Sequence, residues 1–298
     1  MRVTDSARLS ATTAGVAKAA ERLLEFQRQV STGKRISKAS DDPSAVSTTI
    51  LERGAQASID RYLHTAESAK SRLTVSDTVL SDTIEQLEAS QVSILAARGT
   101  IRTPEQREVS AQNLEQLRDA VLRNLNTTFR GGHIFGGAQG STAPYSKNSS
   151  GVVSSYQGST VEVSVDVSQE HEVAVVFNGE SVAKGSDATD VFTLFDQAIA
   201  AVRAGDETGM SNALDGLGRA VDRVTALQTR VGSSLRAIED DVLTLQESGR
   251  SSAARVTSLE DANIAAAISG MTQAETTYRA ALGVAAQLNR LSLMDYLK

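Results

Sequence analysis

The chain has 298 residues, enough for one large or two modest domains, and its 30 basic and 36 acidic side chains leave a formal net charge of −6. The charges are spread evenly, with no basic patch, which argues against a nucleic-acid partner, and the absence of cysteine excludes disulfides, thiolate metal sites and a cysteine nucleophile. Aromatic residues make up only 4% and Trp is missing, so Ala, Val, Leu, Ser and Thr must fill the interior, a composition suited to long packed helices.

Ser6 to Ala20 is polar and rich in Ala and Thr rather than apolar, so no cleavable secretory signal is expected. No apolar run approaches the length of a membrane span, so no membrane partner is expected either. The first helix is predicted over residues 5–32. Leu9, Val16, Leu23 and Val30 stand seven apart, with Thr12, Ala19 and Phe26 between them, which is the a/d seam of a helix pair. Gly33 ends this helix. Two polar blocks follow, Ser31-Thr32-Gly33-Lys34-Arg35-Ile36 and Ser40-Asp41-Asp42-Pro43. Asp42 is a good N-cap and Pro43 suits the first helical position, where its missing N–H costs nothing.

The second helix therefore starts at Pro43 and carries Ile59, Ala66, Leu73, Leu80, Leu87, Ile94 and Ile101 at intervals of seven. Thr103, with Gln106 closing a capping box, starts a third helix whose apolar face is read as Val109, Leu117, Val121 and Leu125. Helix signals stop at Phe129, and residues 130–137 are too glycine-rich for a helix interior. The period then changes: Val161, Val163, Val165 and Val167 alternate with polar residues, and Val173, Val175 and Phe177 form a second strand closed by the turn pair Asn178-Gly179.

Helices resume near Asp190. Met210, Leu214, Leu217, Val221, Val224, Gln228, Val231, Leu235, Ile238, Val242 and Leu245 then alternate steps of four and three, the most regular heptad in the chain. Ser248 to Ser252 is expected to interrupt it. The last helix carries an apolar stripe at Ile264, Ile268, Met271, Tyr278, Leu282, Leu288 and Leu291, and the extreme end adds Leu293, Met294, Tyr296 and Leu297. An apolar stripe needs a cover, and the matching one lies at the other end of the chain. The fold expected is mainly α with a small β insertion: a long helical hairpin or bundle, a rod, with its terminal helices paired and the β part at the tip. The domains read as 1–44 with 250–298, 45–137 with 187–249, and the insertion 138–186. The terminal stripes, crowded with apolar groups, are the candidate subunit-assembly surface.

No catalytic, cofactor or metal constellation is found. His64, His133 and His171 share no metal spacing. Glu170-His171-Glu172 reads as a solvated turn. Asp41-Asp42 and Asp240-Asp241 are neighbours in sequence and do not face each other on a helix. The glycine pairs 131–132 and 136–137 lack the Lys-Ser/Thr and following helix of a phosphate loop.

Gln29 to Ile36, followed by Ser40 to Pro43, resembles the N-terminal signature of the bacterial flagellin superfamily. The tail Leu291-Ser292-Leu293-Met294-Asp295-Tyr296-Leu297 is more similar to its hook–filament junction branch than to filament flagellins. Asn126 to Gly137 and Tyr156-Gln157-Gly158 resemble that branch's insertion, with Ser159 where it often has an acid. The resemblance implies a structural subunit and not an enzyme, exported unfolded through the flagellar type III channel. It implies partners: further copies in a ring, the adjacent hook-associated junction protein, flagellin, and an export chaperone on the C-terminal helix. It makes Ser31, Thr32, Gly33, Lys34, Arg35, Ser40, Asp41, Asp42 and Pro43 a structural motif. Competing readings are a divergent filament flagellin and, in another class, a helical signalling or coiled-coil module.

Overall fold

The computed structural model describes the backbone of residues 2–99, 103–149 and 151–296, and the side chains within them other than 2–6, 9 and 288–296. Leu297 and the side chains of Leu9, Leu288, Leu291, Leu293, Met294 and Tyr296 thus lie outside the described residues, as does Ile101. The order of elements is α1 (Arg2–Thr32), α2 (Pro43–Ala97), α3 (Pro104–Leu125), β1 (Thr128–Phe129), β2 (Gly132–His133), β3 (Val163–Asp166), β4 (Glu172–Val176), α4 (Gly179–Ala183), α5 (Val191–Ala204), α6 (Glu207–Glu260) and α7 (Ile264–Tyr296). The fold is mainly α with a small β portion.

The chain divides into two units: residues 1–58 with 248–298, and residues 59–247. In the second unit, the heptad of α2 is the spine of the core. Ala66, Leu73, Leu80, Leu87 and Ile94 are all at most 1% exposed. The α6 heptad meets the same core through Met210, Leu217, Val224, Val231 and Ile238, one residue in every two of the predicted seam, while Leu214, Val221, Leu235 and Val242 pack at its margin. Ser76, Thr83 and Ser90, interleaved with the α2 leucines, are buried as well, and each hydroxyl donates to the carbonyl four residues back, so none is left unsatisfied.

The N-terminus of α3 is the capping box read from sequence: Thr103 Oγ1 accepts from the Gln106 amide and the Gln106 side chain accepts from the Thr103 amide. Replacing Thr103 by Ala should cost about 1 kcal/mol, seen as a lower urea midpoint with an unchanged slope. The buried face of α3 differs in part from the expected one. Val121 and Leu125 are buried as expected and Leu117 packs at the margin of the core, but Val109 is 67% exposed, and Ala111, Leu114, Arg118 and Leu122 complete the inward face. Arg118 can do so because Asp119 and Asp196 neutralise it.

The β portion consists of two antiparallel pairs, β1–β2 and β3–β4, with Val165 opposite Val173. Its side chains share one core with the helices of the second unit: Ile134, Phe135, Tyr145, Val167, Val173, Val175 and Phe177 are buried together with Phe192 and Phe195 of α5. Asn178-Gly179 is a correction to the expected hairpin turn. Asn178 is the N-cap of α4, its side chain accepting from the Glu180 amide. The chain cannot widen at Gly179, where a Cβ would stand 2.6 Å from the Phe135 carbonyl oxygen.

A second correction concerns residues 248–252. No break occurs there; α6 runs on to Glu260, and the interruption falls at residues 261–263. Ser252 is the reason. It is buried, and its hydroxyl donates to the Glu52 carbonyl at 3.1 Å and its carboxylate at 2.6 Å, contacts that fix the helix where its own propensity is weak.

Candidate functional site

The first unit is built by the two ends of the chain. Helices α1 and α7 pack together, and they run antiparallel, because Gly33 meets Ala262 at one end while Phe26 lies on Gly270 further along. The face of α1 turned toward its partner carries Thr12, Val16, Ala19, Leu23, Phe26 and Val30, all partly or fully buried, which is the seam read from sequence. The face of α7 is displaced from the expected stripe. Ala267 and Ala274 are its buried centre, with Gly270, Met271, Tyr278 and Ala281 partly buried around them. Ile264, Ile268 and Leu282, counted in the stripe, are 41%, 46% and 43% exposed along its flank. The cause is steric. The helices approach so closely at Phe26 that a Cβ on Gly270 would lie 2.5 Å from the ring, so only small residues fit the centre of the contact. The larger aliphatic groups are left facing outward, together with Val284 and, on α1, Leu24.

The two polar blocks after α1 are a latch. Gly33 has φ +71°, the left-handed cap that ends α1, and its amide donates to the Gln29 carbonyl. Its carbonyl accepts from the Ala262 amide at 2.9 Å, and the Arg35 amide donates to the Glu260 carbonyl at 2.7 Å. The α1–α2 connector is thus hydrogen-bonded to the α6–α7 connector, more than 220 residues away. Lys34 and Arg53 both pair with Glu260, which is only 8% exposed, and Arg35 donates to the Leu259 carbonyl. Asp41 accepts from the Ser37 and Lys38 amides and pairs with Arg28, folding the connector on itself. Asp42 caps α2 through the Ala45 amide, and Pro43 is its first residue. Ser31 and Ser40 are exposed, and Thr32 accepts from the Lys34 amide. Glu52 and Arg255 form a two-pronged pair at 2.7 and 2.9 Å beside Ser252. Glu52, Arg53, Ser252, Arg255 and Glu260 were invisible as site residues in the sequence, since nothing local marks a partner 200 positions away.

Four of these carboxylates are held below their ordinary range: Glu260 by the hydrogen bond from Lys34, Glu52 by that from Arg255, Asp41 by the Ser37 and Lys38 amides, and Asp42 by the Ala45 amide. A carboxylate whose folded value lies below its unfolded one contributes stability above the unfolded value and loses it as pH falls through the folded one. The ordinary glutamate value is 4.5, so the latch should be intact at neutral pH and loosen progressively below pH 4.5. Hydrogen exchange of the Arg35 and Ala262 amides, corrected for the intrinsic rate, should show protection falling in that window. Protection unchanged down to about pH 3 would mean that the carboxylates do not hold the connector.

Among the described residues no group of three or more His, Asp or Glu side chains converges to hold a metal ion, and no helix is long and apolar enough to cross a membrane. His171 contacts Asp241 rather than lying free in a turn.

Comparison with known proteins extends this picture. Over 95% of its length the chain is 25% identical to flagellar hook-associated protein 3 of Escherichia coli, covering 96% of that protein. It is 25% identical to the protein of the same name from Salmonella typhimurium over 68% of this chain and 67% of the other. The crystal structure of flagellar hook-associated protein 3 from Legionella pneumophila superposes with a TM-score of 0.64, covering 70% of this chain and 98% of that one at 15% identity, a likeness of fold. The bacterial flagellin N-terminal helical region matches residues 4–140 and the C-terminal helical region matches residues 214–297. These two regions take in α1 and α7, the latch and most of both long heptads, and on them the chain belongs to the bacterial flagellin family.

Proposed function

We propose that the chain is a structural subunit of the bacterial flagellum that stands at the junction between the hook region and the filament. The observation that carries this reading is likeness along almost the whole chain to a hook-associated protein, on a fold whose paired ends leave aliphatic side chains facing outward. In this reading copies of the chain form a ring. Val16, Leu23 and Val30 with Met271 and Tyr278 hold the terminal pair, and Leu9, Ile264, Ile268, Leu282 and the tail residues Leu288, Leu291, Leu293, Met294, Tyr296 and Leu297 belong to the assembly surface that meets neighbouring subunits. One side of the ring faces the adjacent hook-associated junction protein and the other faces flagellin. The subunit is exported through the flagellar type III channel, with an export chaperone holding the C-terminal helix beforehand, and it acts outside the cell.

Deletion of the gene tests this. Cells should make hooks of normal length and release flagellin into the medium without attached filaments. A strain that keeps attached filaments would refute the junction role. Purified chain that polymerises unaided into long filaments would identify a filament flagellin instead.

A further inference from the structure

Within the second unit, α2 and the two β pairs line an open pocket of about 270 Å³. Its walls are Ala69, Phe129, Val165 and Val175, and its polar groups are Thr65, Ser68, Arg72 and Arg130. Both guanidinium groups lie against the Phe129 ring, at 5.9 Å for Arg72 and 5.2 Å for Arg130. Neither arginine is ion-paired among the described residues. Arg72 donates only to the His133 carbonyl at 3.3 Å, and its buried Nε has no partner. Arg130 donates to the Ser68 hydroxyl at 3.1 Å.

Two like charges gathered on one ring without a counter-charge are unfavourable, and a buried N–H without an acceptor adds to the cost. Asp166 and Glu172, opposite each other in the strand register, line the neighbouring groove that shares Thr65 and Val165 with this pocket, and neither is ion-paired with Arg72 or Arg130 among the described residues. The backbone is strained here too. Arg130 and Gly131 are the two turn residues of the β1–β2 hairpin, with φ +50° and +84°, and Arg130 is the one non-glycine residue with positive φ among the described residues. Such a turn ordinarily takes Asn, Asp or Gly first. An arginine held in this conformation places its guanidinium at the mouth of the pocket at the expense of local stability.

The geometry points to a binding site for a carboxylate carried on a short aliphatic stem. The two guanidinium forks and the Ser68 hydroxyl, which accepts from Arg130 and keeps its own O–H to donate, receive the carboxylate, and the apolar walls receive the stem; the Thr65 hydroxyl is already donated to the Arg61 carbonyl and only lines the pocket. Two sources supply that chemistry, a free small acid or a glutamate side chain of another polypeptide. The inference does not depend on the flagellar assignment.

The test is isothermal titration of the full chain at constant ionic strength, with sodium glutarate in one arm and a blocked Gly-Glu-Gly peptide in the other, against sodium chloride. Wild type should give saturable binding to at least one of them that chloride does not reproduce. Arg130→Asn and Arg72→Gln should each weaken it about tenfold or more, the loss of a charge-assisted hydrogen bond. Arg130→Asn keeps the experiment decisive, because Asn suits the left-handed backbone: it should melt at or above the wild-type temperature while losing the ligand. Tighter binding of glutarate than of the peptide assigns a free acid, and the reverse assigns a protein side chain. Equal binding by wild type and Arg130→Asn, or no binding beyond chloride in either arm, overturns the site.

Discussion

Leu80→Asp is expected to unfold the second unit. Leu80 is 0% exposed at the middle of the α2 heptad, in a core that also receives α3, α5, α6 and the β pairs. Removing a buried leucine of this kind costs about 2–5 kcal/mol. An unpaired carboxylate in its place adds several more even after relaxation. Domains of this size are stable by about 5–15 kcal/mol in total, so one substitution consumes most or all of the margin. Far-UV circular dichroism of the purified variant should show most of the helical signal lost at 25 °C, or a melting transition shifted below that range. Leu243→Asp is the matched control. Leu243 also lies on a long helix of this unit but is 65% exposed, and a change there should stay within about 0.5 kcal/mol. Similar melting of the two variants would show that the heptad is not the core.

That contrast marks what was legible in the sequence. The seams of α2 and α6 could be read because large aliphatic residues recur at the heptad interval with polar residues between them, so only one face could be buried. The caps were legible for a related reason: Thr103 with Gln106 and Asp42 with Pro43 satisfy backbone groups within four residues, and a local bond leaves a local signal. The terminal pair was half legible. On α7 two stripes overlap, one of large residues and one of small ones (Ala267, Gly270, Ala274); of the large ones Met271 and Tyr278 do border the contact, but Ile264, Ile268 and Leu282 lie on its exposed flank and the small residues hold its centre. Close helix approach, set by Phe26 over Gly270, is the reason. The latch was legible only as a motif. Its glycine, lysine and arginine could be named, but their partners Glu260, Leu259 and Ala262 come from the far end of the chain. The apparent break at Ser248 to Ser252 was misread for the same reason, since Glu52 supplies from outside what the local sequence lacks. The pocket at Arg72 and Arg130 left no signal either, because a lone arginine in a glycine-rich turn reads as solvated surface.

Ala274→Asp separates the terminal pair from everything else, and it is expected to abolish filament attachment while leaving the second unit folded. Ala274 is 8% exposed at the centre of the α1–α7 contact, where the neighbouring Phe26 already fills the space over Gly270. A carboxylate at that position must be accommodated in the close contact, where Glu25 and Arg22 line the same groove, or must force the helices apart, and the second is expected because a terminal helix pair has little else to lose. Among the described residues, those buried in the first unit are almost all small or polar, Ala19, Ala45, Thr49, Ser252, Glu260, Ala267 and Ala274 with Ile36, so burial there contributes little per residue and separation should be complete. The second unit contains none of these residues, and its melting transition should not move. Two measurements distinguish the outcomes: hydrogen exchange along α1 and α7 in the purified variant, and filament attachment in cells carrying it. Loss of protection in both helices, an unmoved main transition and detached filaments are expected. Retained protection would mean that the contact tolerates a charge and is not closely packed. Lost protection with filaments still attached would mean that the paired ends are not the assembly element, and the junction reading would have to rest on some other surface of the chain.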